Sequence, residues 1–162
     1  MAGLSPSGKW ALINNTIYNE KITIFALQET HMDEDLLKNI NECFSKNLHI
    51  IASADPTCPT TSAGTAFVIN KAKIRTQECQ AYELIPGRAH YLSIKWLNSC
   101  TVTVANIYAP NNRAKHDAFW HTIEVERIAH RLPIPNFTLG DFNVTKELID
   151  RAPPKETKMG NH

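Results

Sequence analysis

Glu29, Tyr108, Asp141 and Asn143 are the residues of this chain whose chemical types could act together on one substrate. Glu29 offers a hard carboxylate oxygen of the kind Mg²⁺ accepts, since that ion keeps most of its waters and needs only one or two protein carboxylates. Asp141 can orient or deprotonate a water for attack on phosphorus. The amide of Asn143 and the hydroxyl of Tyr108 can donate to a phosphate oxygen as charge grows there in the transition state. Together they describe a metal-assisted phosphodiester hydrolase. Singly each has a plainer explanation: a solvated glutamate, a Gly-Asp turn, a tyrosine packed in a core.

What joins them is position. Each lies where an apolar, β-branched run stops. "KITIFAL" (21–27) runs into Gln28-Glu29, "TVTVANIYA" (101–109) carries Asn106 and Tyr108 and leads to Asn111, and "NFTLG" (136–140) opens onto Asp141 and Asn143. In sheets flanked by helices, ligands collect beyond the strand ends. Three polar strand ends are therefore expected to meet at one cleft.

The elements that must hold them there follow from pattern. Trp10, Ile13 and Ile17 are spaced for the buried face of a first helix, which Ser5-Pro6 or Ser7 can cap. "KITIFAL" is apolar on both parities and reads as a strand covered on both faces. In "MDEDLLKNINECF", first-turn acids precede Leu36, Leu37, Ile40 and Phe44 at helical spacing. A strand at "LHIIASA" follows, then a Pro/Thr/Ser loop over 55–63. Strands are expected at 64–70, 78–85, 90–97 and 101–109, with turns at Pro86-Gly87 and Asn98-Ser99. "NNRAKHDAFWHTIEVERIAHRL" reads as a helix and "NFTLG" as a last strand. The order predicts an α/β fold of mixed sheets with helices outside. The tail over 152–162, polar with two prolines, reads as disordered.

Bulk properties set limits. The chain has 162 residues, 43% hydrophobic and 20% charged, enough for one core in a single domain spanning 1–162. A formal charge of +1 gives no global pull toward nucleic acid or membrane, though it allows a local basic groove. Cys43, Cys58, Cys79 and Cys100 form no CxxC pair and read as reduced thiols. The start lacks the apolar stretch of a signal peptide and no run has membrane-spanning length. The expectation is an intracellular chain, nuclear or cytoplasmic and not secreted, with no membrane and no protein partner.

The segments "ALQETH", "AGTAFVIN", "NIYAPN" and "LGDFNV", in that order, resemble the motifs of the endonuclease/exonuclease/phosphatase superfamily, the DNase-I-like fold. The nearest flavour is the endonuclease domain of LINE-type retrotransposons, and "IDRAPPK" resembles the stretch that follows in such copies. The resemblance covers the chain from about residue 10 onward and implies a partial four-layer α/β sandwich with two sheets meeting at a metal-bearing cleft. By matching motifs it implies Glu29 as the Mg²⁺ ligand (Mn²⁺ as a substitute). Tyr108 becomes the tyrosine on the scissile phosphate, Asp141 the residue acting on the attacking water, and Asn143 a phosphate contact. Asn106, Asn111 and Arg88 are substrate-contact candidates, and DNA is the implied substrate.

The family's opening strand with its asparagine, and its terminal Ser-Asp-His, have no counterpart here, since "MGNH" with His162 is not that motif. The expectation is therefore a domain shortened at both ends. An active DNA endonuclease and a non-catalytic remnant that binds nucleic acid weakly both remain open. Phosphoinositide or sphingolipid substrates also occur on such a fold. His31, Asp33 and Asp35 are expected to serve a helix N-terminus rather than a metal. His116, His121 and His130 lack zinc-helix spacing, and Arg113, Lys115, Arg127 and Arg131 read as a solvated helix face.

Overall fold

The computed structural model describes residues 6–96 and 100–144. Helix α1 (Pro6–Asn19) presents Trp10 and Ile17 to the core, and proline at its first turn costs nothing because that N–H has no helical partner. It ends with Lys21 at φ 52, where Lys21 N–H donates to Tyr18 and Ile22 N–H to Ile17. That is a Schellman ending, closed by apolar contact of Ile22 with the cluster around Ile17. Helix α2 (Glu34–Cys43) is capped by Asp33, whose Oδ1 accepts from Leu36 N–H at 2.8 Å, with Glu34 and Asp35 in the first turn. The acids near His31 thus do serve a helix start. Ser5 and the tail over 152–162 lie outside the described residues.

Strands β1 (Ile24–Gln28), β2 (Leu48–Ser53) and β3 (Thr65–Asn70) form an antiparallel sheet in the order β1-β3-β2. β3, the centre, is buried throughout. β1, read as covered on both faces, packs Phe25 and Leu27 toward the helices and Ile24 and Ala26 between the sheets, and among the described residues it is an edge strand with every residue half-buried. Being apolar on both parities shows that a strand's two faces are sheltered but says nothing of its edges. Strands β4 (Cys79–Ile85), β5 (Ala89–Lys95) and β6 (Thr101–Tyr108) make an antiparallel meander, and β7 (Phe137–Asp141) joins β6 in parallel. The parallel step needs a crossover. Helix α3 (His116–Ala129) supplies it, entered through a 3-10 turn at Arg113–Lys115.

Three apolar clusters fix the stacking. α1 and α2 pack on one face of the first sheet through Trp10, Ile17, Ile40, Ile50 and Val68. α3 packs on the second sheet through Phe119 and Ile123 against Tyr91, Ala105 and Ile107. Between the sheets lie Phe67, Ile69, Leu92, Ile94 and Val104. The layers are helix, sheet, sheet, helix. Each fully buried Phe, Ile or Leu contributes roughly 1.5–3 kcal/mol through area removed from water.

The space between the sheets changes character along the strands. The alternation that places Ile69 and Phe67 of β3 there places Thr65 next; Ile24 and Ala26 of β1 lead to Gln28; Ile94 and Leu92 of β5 lead back to His90; Val104 of β6 leads to Asn106. Hydrocarbon gives way to a polar layer at one end of the sandwich. His90 is 3% exposed and packs on the Phe67 ring at 5.3 Å, and burial lowers its pKa from 6.5 to about 4.

The folded imidazole therefore resists a proton that the unfolded chain accepts below pH 6.5. Stability on this account is complete above about pH 6.5 and falls progressively as the pH drops toward 4. The expected loss is on the order of 3 kcal/mol. Denaturant melts from pH 4 to 7.5 should show that slope, and His90→Phe should flatten it.

Candidate active site at the polar strand ends

The site grows out of that polar layer. Asn106 is 0% exposed and its side chain joins the two sheets. Its Nδ2 donates to the carbonyls of Leu27 and Ala66, each at 3.0 Å, and its Oδ1 accepts from Gln28 Nε2 at 2.6 Å. Both amide hydrogens and the oxygen are in use inside the protein. Asn106 was a candidate substrate contact; a side chain so buried and so fully bonded instead fixes the positions of its neighbours. Those neighbours are Glu29, directly after Gln28, and Tyr108, two residues further along β6.

Tyr108 is 7% exposed, and its hydroxyl donates to Glu29 Oε1. Glu29 itself is exposed, at the end of β1 and 79 positions away in sequence. The bond to Glu29, together with burial and the negative charge of Glu29, pushes the Tyr108 phenol up to about 12. Arg88 opposes the shift and Asp141 adds to it. The phenol is thus a proton donor across the neutral range.

Arg88, half-buried, lies over the Tyr108 ring with its guanidinium carbon 5.2 Å from the centroid, and its Nη1 donates to the Tyr108 carbonyl at 3.4 Å. This cation–π contact holds a positive charge beside the phenol. Tyr108 N–H in turn donates to the Arg88 carbonyl at 2.7 Å.

Asp141 ends β7 directly beside Tyr108 in the parallel register. Its carboxylate Oδ1 accepts from Asn143 N–H at 2.9 Å, and its carbonyl accepts from Ala109 N–H at 2.9 Å. Asn143 sits at φ 48, a left-handed conformation that asparagine tolerates, and spends one amide hydrogen on the Ala109 carbonyl at 2.7 Å. Between them Phe142 stacks on Trp120 of α3, centroids 6.0 Å apart and planes 21° apart, which pins this turn to the helix.

Gly140 decides how close β7 can come. It has φ 136, and a Cβ there would stand 1.9 Å from the Ile107 carbonyl oxygen. Gly140→Ala should cost about 3 kcal/mol through left-handed strain and displacement of the strand. Chemical denaturation would measure it, with near-ultraviolet dichroism of the Trp120–Phe142 stack reporting the shift.

The Glu29 backbone is held in a less common conformation, φ 52. Thr30 N–H donates to the Gly64 carbonyl at 3.2 Å, and Gly64 N–H to the Gly87 carbonyl at 2.9 Å, so the loop carrying Arg88 supports the loop carrying Glu29. A side chain at 64 would meet Thr30 Oγ1 at 2.5 Å. Positive φ at several non-glycine residues around one rim, Glu29, His31, Ala63 and Asn143, is the pattern strained functional sites show.

The structure thus brings together Glu29, Arg88, Tyr108, Asp141 and Asn143, and puts Asn106 beneath them. Asn111 is exposed beyond β6 and is tied to none of these residues by a hydrogen bond. Gln28, named only as part of a polar strand end, bonds Asn106, and Trp120, which pins Phe142, escaped the sequence reading as a site support. The interruption of apolar alternation at Thr65, Gln28 and His90 was the available signal for the polar layer.

The decoys resolve plainly. His116 is a buried residue with Nε2 2.7 Å from the Pro110 carbonyl, and Arg127 pairs with Glu124 at 2.6 Å. All four cysteines are free. His162 lies outside the described residues.

Among the described residues no group of three or more His, Cys, Asp or Glu side chains could enclose a metal ion. The donors present, exposed carboxylates of Glu29 and Asp141 beside a phenol, fit a hard cation that keeps most of its water and is held by one or two carboxylates. They do not fit a closed structural site.

No protein-family model matches the chain, and no curated protein matches it. Solved structures do. An endonuclease/exonuclease/phosphatase family protein from Bacteroides thetaiotaomicron superposes with a TM-score of 0.59 at 16% identity over 86% of this chain and 56% of that one. The human Nocturnin catalytic domain gives 0.54 at 14% identity, covering 88% and 59%. TDP2 of D. rerio, complexed with a single-strand DNA product, gives 0.55 at 8% identity, covering 88% and 56%. The chain therefore has the α/β sandwich fold of these proteins and spans a little over half the length of each.

Proposed function

We propose that this chain is a divalent-metal-dependent phosphodiester hydrolase acting on DNA, with the character of a LINE-type retrotransposon endonuclease. The observation that carries the reading is the convergence of Glu29, Tyr108 and Asp141, from three separate strand ends, on one rim. The ordered motifs "ALQETH", "NIYAPN" and "LGDFNV" support it, as does the likeness in fold to a protein captured with a DNA product. Among the described residues no helix is long and apolar enough to cross a membrane. A nuclear or cytoplasmic place of action accords with this reading.

In this mechanism Asp141 orients the attacking water and accepts its proton as the new P–O bond forms; the opposite P–O bond breaks and the departing alkoxide takes a proton from solvent. The Tyr108 phenol, kept protonated, donates to a non-bridging phosphate oxygen, and Arg88 beside it opposes the growing negative charge. Asn143 offers its second amide hydrogen to the same phosphate. Glu29 would hold Mg²⁺ through its carboxylate, and the ion would supply charge stabilisation to the phosphoryl group. On substrate binding Tyr108 turns its hydrogen bond from Glu29 to the phosphate, which frees the Glu29 carboxylate. In this reading Asn111, exposed past the strand end, contacts the adjoining phosphodiester backbone.

The test is conversion of supercoiled plasmid to open circle by the purified chain. Nicking should require Mg²⁺, be restored by Mn²⁺, and vanish with EDTA. DNA binding should also fall steeply with salt. Phosphoinositide and sphingolipid phosphodiesters should remain uncut. Cleavage of those lipids in place of DNA would reassign the substrate, and folded protein that binds DNA yet never nicks it would make the chain a non-catalytic binder.

A further inference from the structure

His116 is a buried histidine for which the hydrolysis steps find no use. It opens α3, and its Nε2–H donates to the Pro110 carbonyl at 2.7 Å. Four residues on, Trp120 lies one helical turn along the same face and stacks on Phe142. Phe119 and Ile123 of the same stripe are packed against Tyr91, Ala105 and Ile107, so the helix is fixed on the second sheet. One helix face therefore holds both the loop that follows β6 and the turn that follows β7.

The loop after β6 is tied along its length. Pro110 has no N–H, which leaves its carbonyl as its hydrogen-bonding group, and His116 takes it. Ala109, fully buried, donates its N–H to the Asp141 carbonyl at 2.9 Å and accepts from Asn143 Nδ2 at 2.7 Å. Past Asn111, the Asn112 Oδ1 accepts from Ala114 N–H at 3.0 Å and its carbonyl from Lys115 N–H at 2.9 Å. Two routes thus run from α3 to Asp141 and Asn143. One passes through the Phe142 ring, the other through Pro110 and Ala109.

We propose that His116 and Trp120 are a pair of positioning residues that together set Asp141 and Asn143 against Tyr108 for the chemical step, without touching substrate. Neither route suffices alone. Stacked rings resist separation more than they resist sliding over one another. The hydrogen bond from His116 is directional, and it removes that freedom by fixing Ala109, to which both Asp141 and Asn143 are bonded. A shift of ~1 Å at the reacting groups is enough to lower a rate about 100-fold. The consequence for rate rests on the hydrolase reading; the contacts do not.

The test compares variants of the full chain by plasmid nicking and by amide NMR spectra. His116→Leu and Trp120→Leu should each lower kcat about 100-fold while KM moves by less than about threefold, since the displaced groups act in the transition state. The double variant should be no more than about threefold worse than the weaker single variant, because the pair acts as a unit. His116→Gln, whose Nε2–H can reach the Pro110 carbonyl, and Trp120→Phe, which keeps a ring on Phe142, should recover most of the rate. Ile123→Ala, in the core stripe of α3, separates positioning from stability: it should lower Tm and leave kcat within about twofold. The backbone and side-chain amide signals of Asn143 should shift in both leucine variants and stay in place in Ile123→Ala, a readout that needs no activity. Were the parent chain to leave DNA uncut, the hydrolase reading would fail and those signals would still decide the positioning pair. Unmoved Asn143 signals in the leucine variants, or an Ile123→Ala loss of rate equal to theirs, would overturn it.

Discussion

Asp141→Asn should lower plasmid nicking by roughly 10²- to 10⁴-fold while leaving the protein folded, the range that loss of a positioned general base produces. The reason to expect a clean result is local. Asp141 is exposed, and the side-chain bond it makes, Oδ1 accepting from Asn143 N–H, is one an asparagine oxygen can keep. Only the charge and the basicity disappear.

Glu29→Gln is the matching experiment at the other strand end. Glutamine Oε1 can still accept from the Tyr108 hydroxyl, so the bond joining the sheets at the rim survives. The hard anionic ligand is lost, and nicking should fall about 100-fold or more with partial recovery at high Mg²⁺. Supercoiled-plasmid conversion, with circular dichroism as the control for folding, measures both. Unchanged nicking in Asp141→Asn would leave Asp141 as a turn residue and remove it from the chemistry.

Asn106→Leu should be the most damaging single change to stability, costing roughly 3–5 kcal/mol through buried polar groups left without partners. It strands Gln28 Nε2 and withdraws the donor that the Leu27 and Ala66 carbonyls share. For a chain of this size that corresponds to a fall in Tm of about 10–15 °C.

Asn106→Asp keeps the shape but points a carboxylate oxygen at the two carbonyls that Nδ2 now serves. It should destabilise at least as strongly at neutral pH and recover in acid, as the carboxyl gains a proton to donate. Thermal melts across pH separate loss of volume from loss of hydrogen bonding. If Asn106→Leu melts like the parent, the sheets are held together by hydrocarbon alone and the clamp is dispensable.

Much of the candidate site's geometry was legible in the sequence. Glu29, Tyr108, Asp141 and Asn143 stand at the ends of apolar runs, and the structure puts all four on one rim. Arg88, a surface-turn residue by sequence alone, belongs with them because its guanidinium lies over Tyr108. Asn106 was legible as a polar residue near the site and misread in role. Its neighbours in sequence, Ala105 and Ile107, gave no sign that the opposite sheet would close over it. The Trp120–Phe142 stack joins a helix to a turn 22 positions later, and neither residue announces the other.

By itself the sequence determined the order of helices and strands, their approximate ends and the polar character of three strand ends. Those features are encoded by alternation, turn residues and caps within short windows of chain. Asp33 at the start of α2 and the β-branched run of β6 need no distant partner to be read. Only the tertiary structure decided that β3 leaves the meander to lie between β1 and β2, and that β7 returns through α3 to pair with β6 in parallel. It also decided that Tyr108 bonds Glu29 across 79 positions. These depend on which apolar faces bury each other and on where backbone groups find partners, free energies summed over the whole chain that no local window contains.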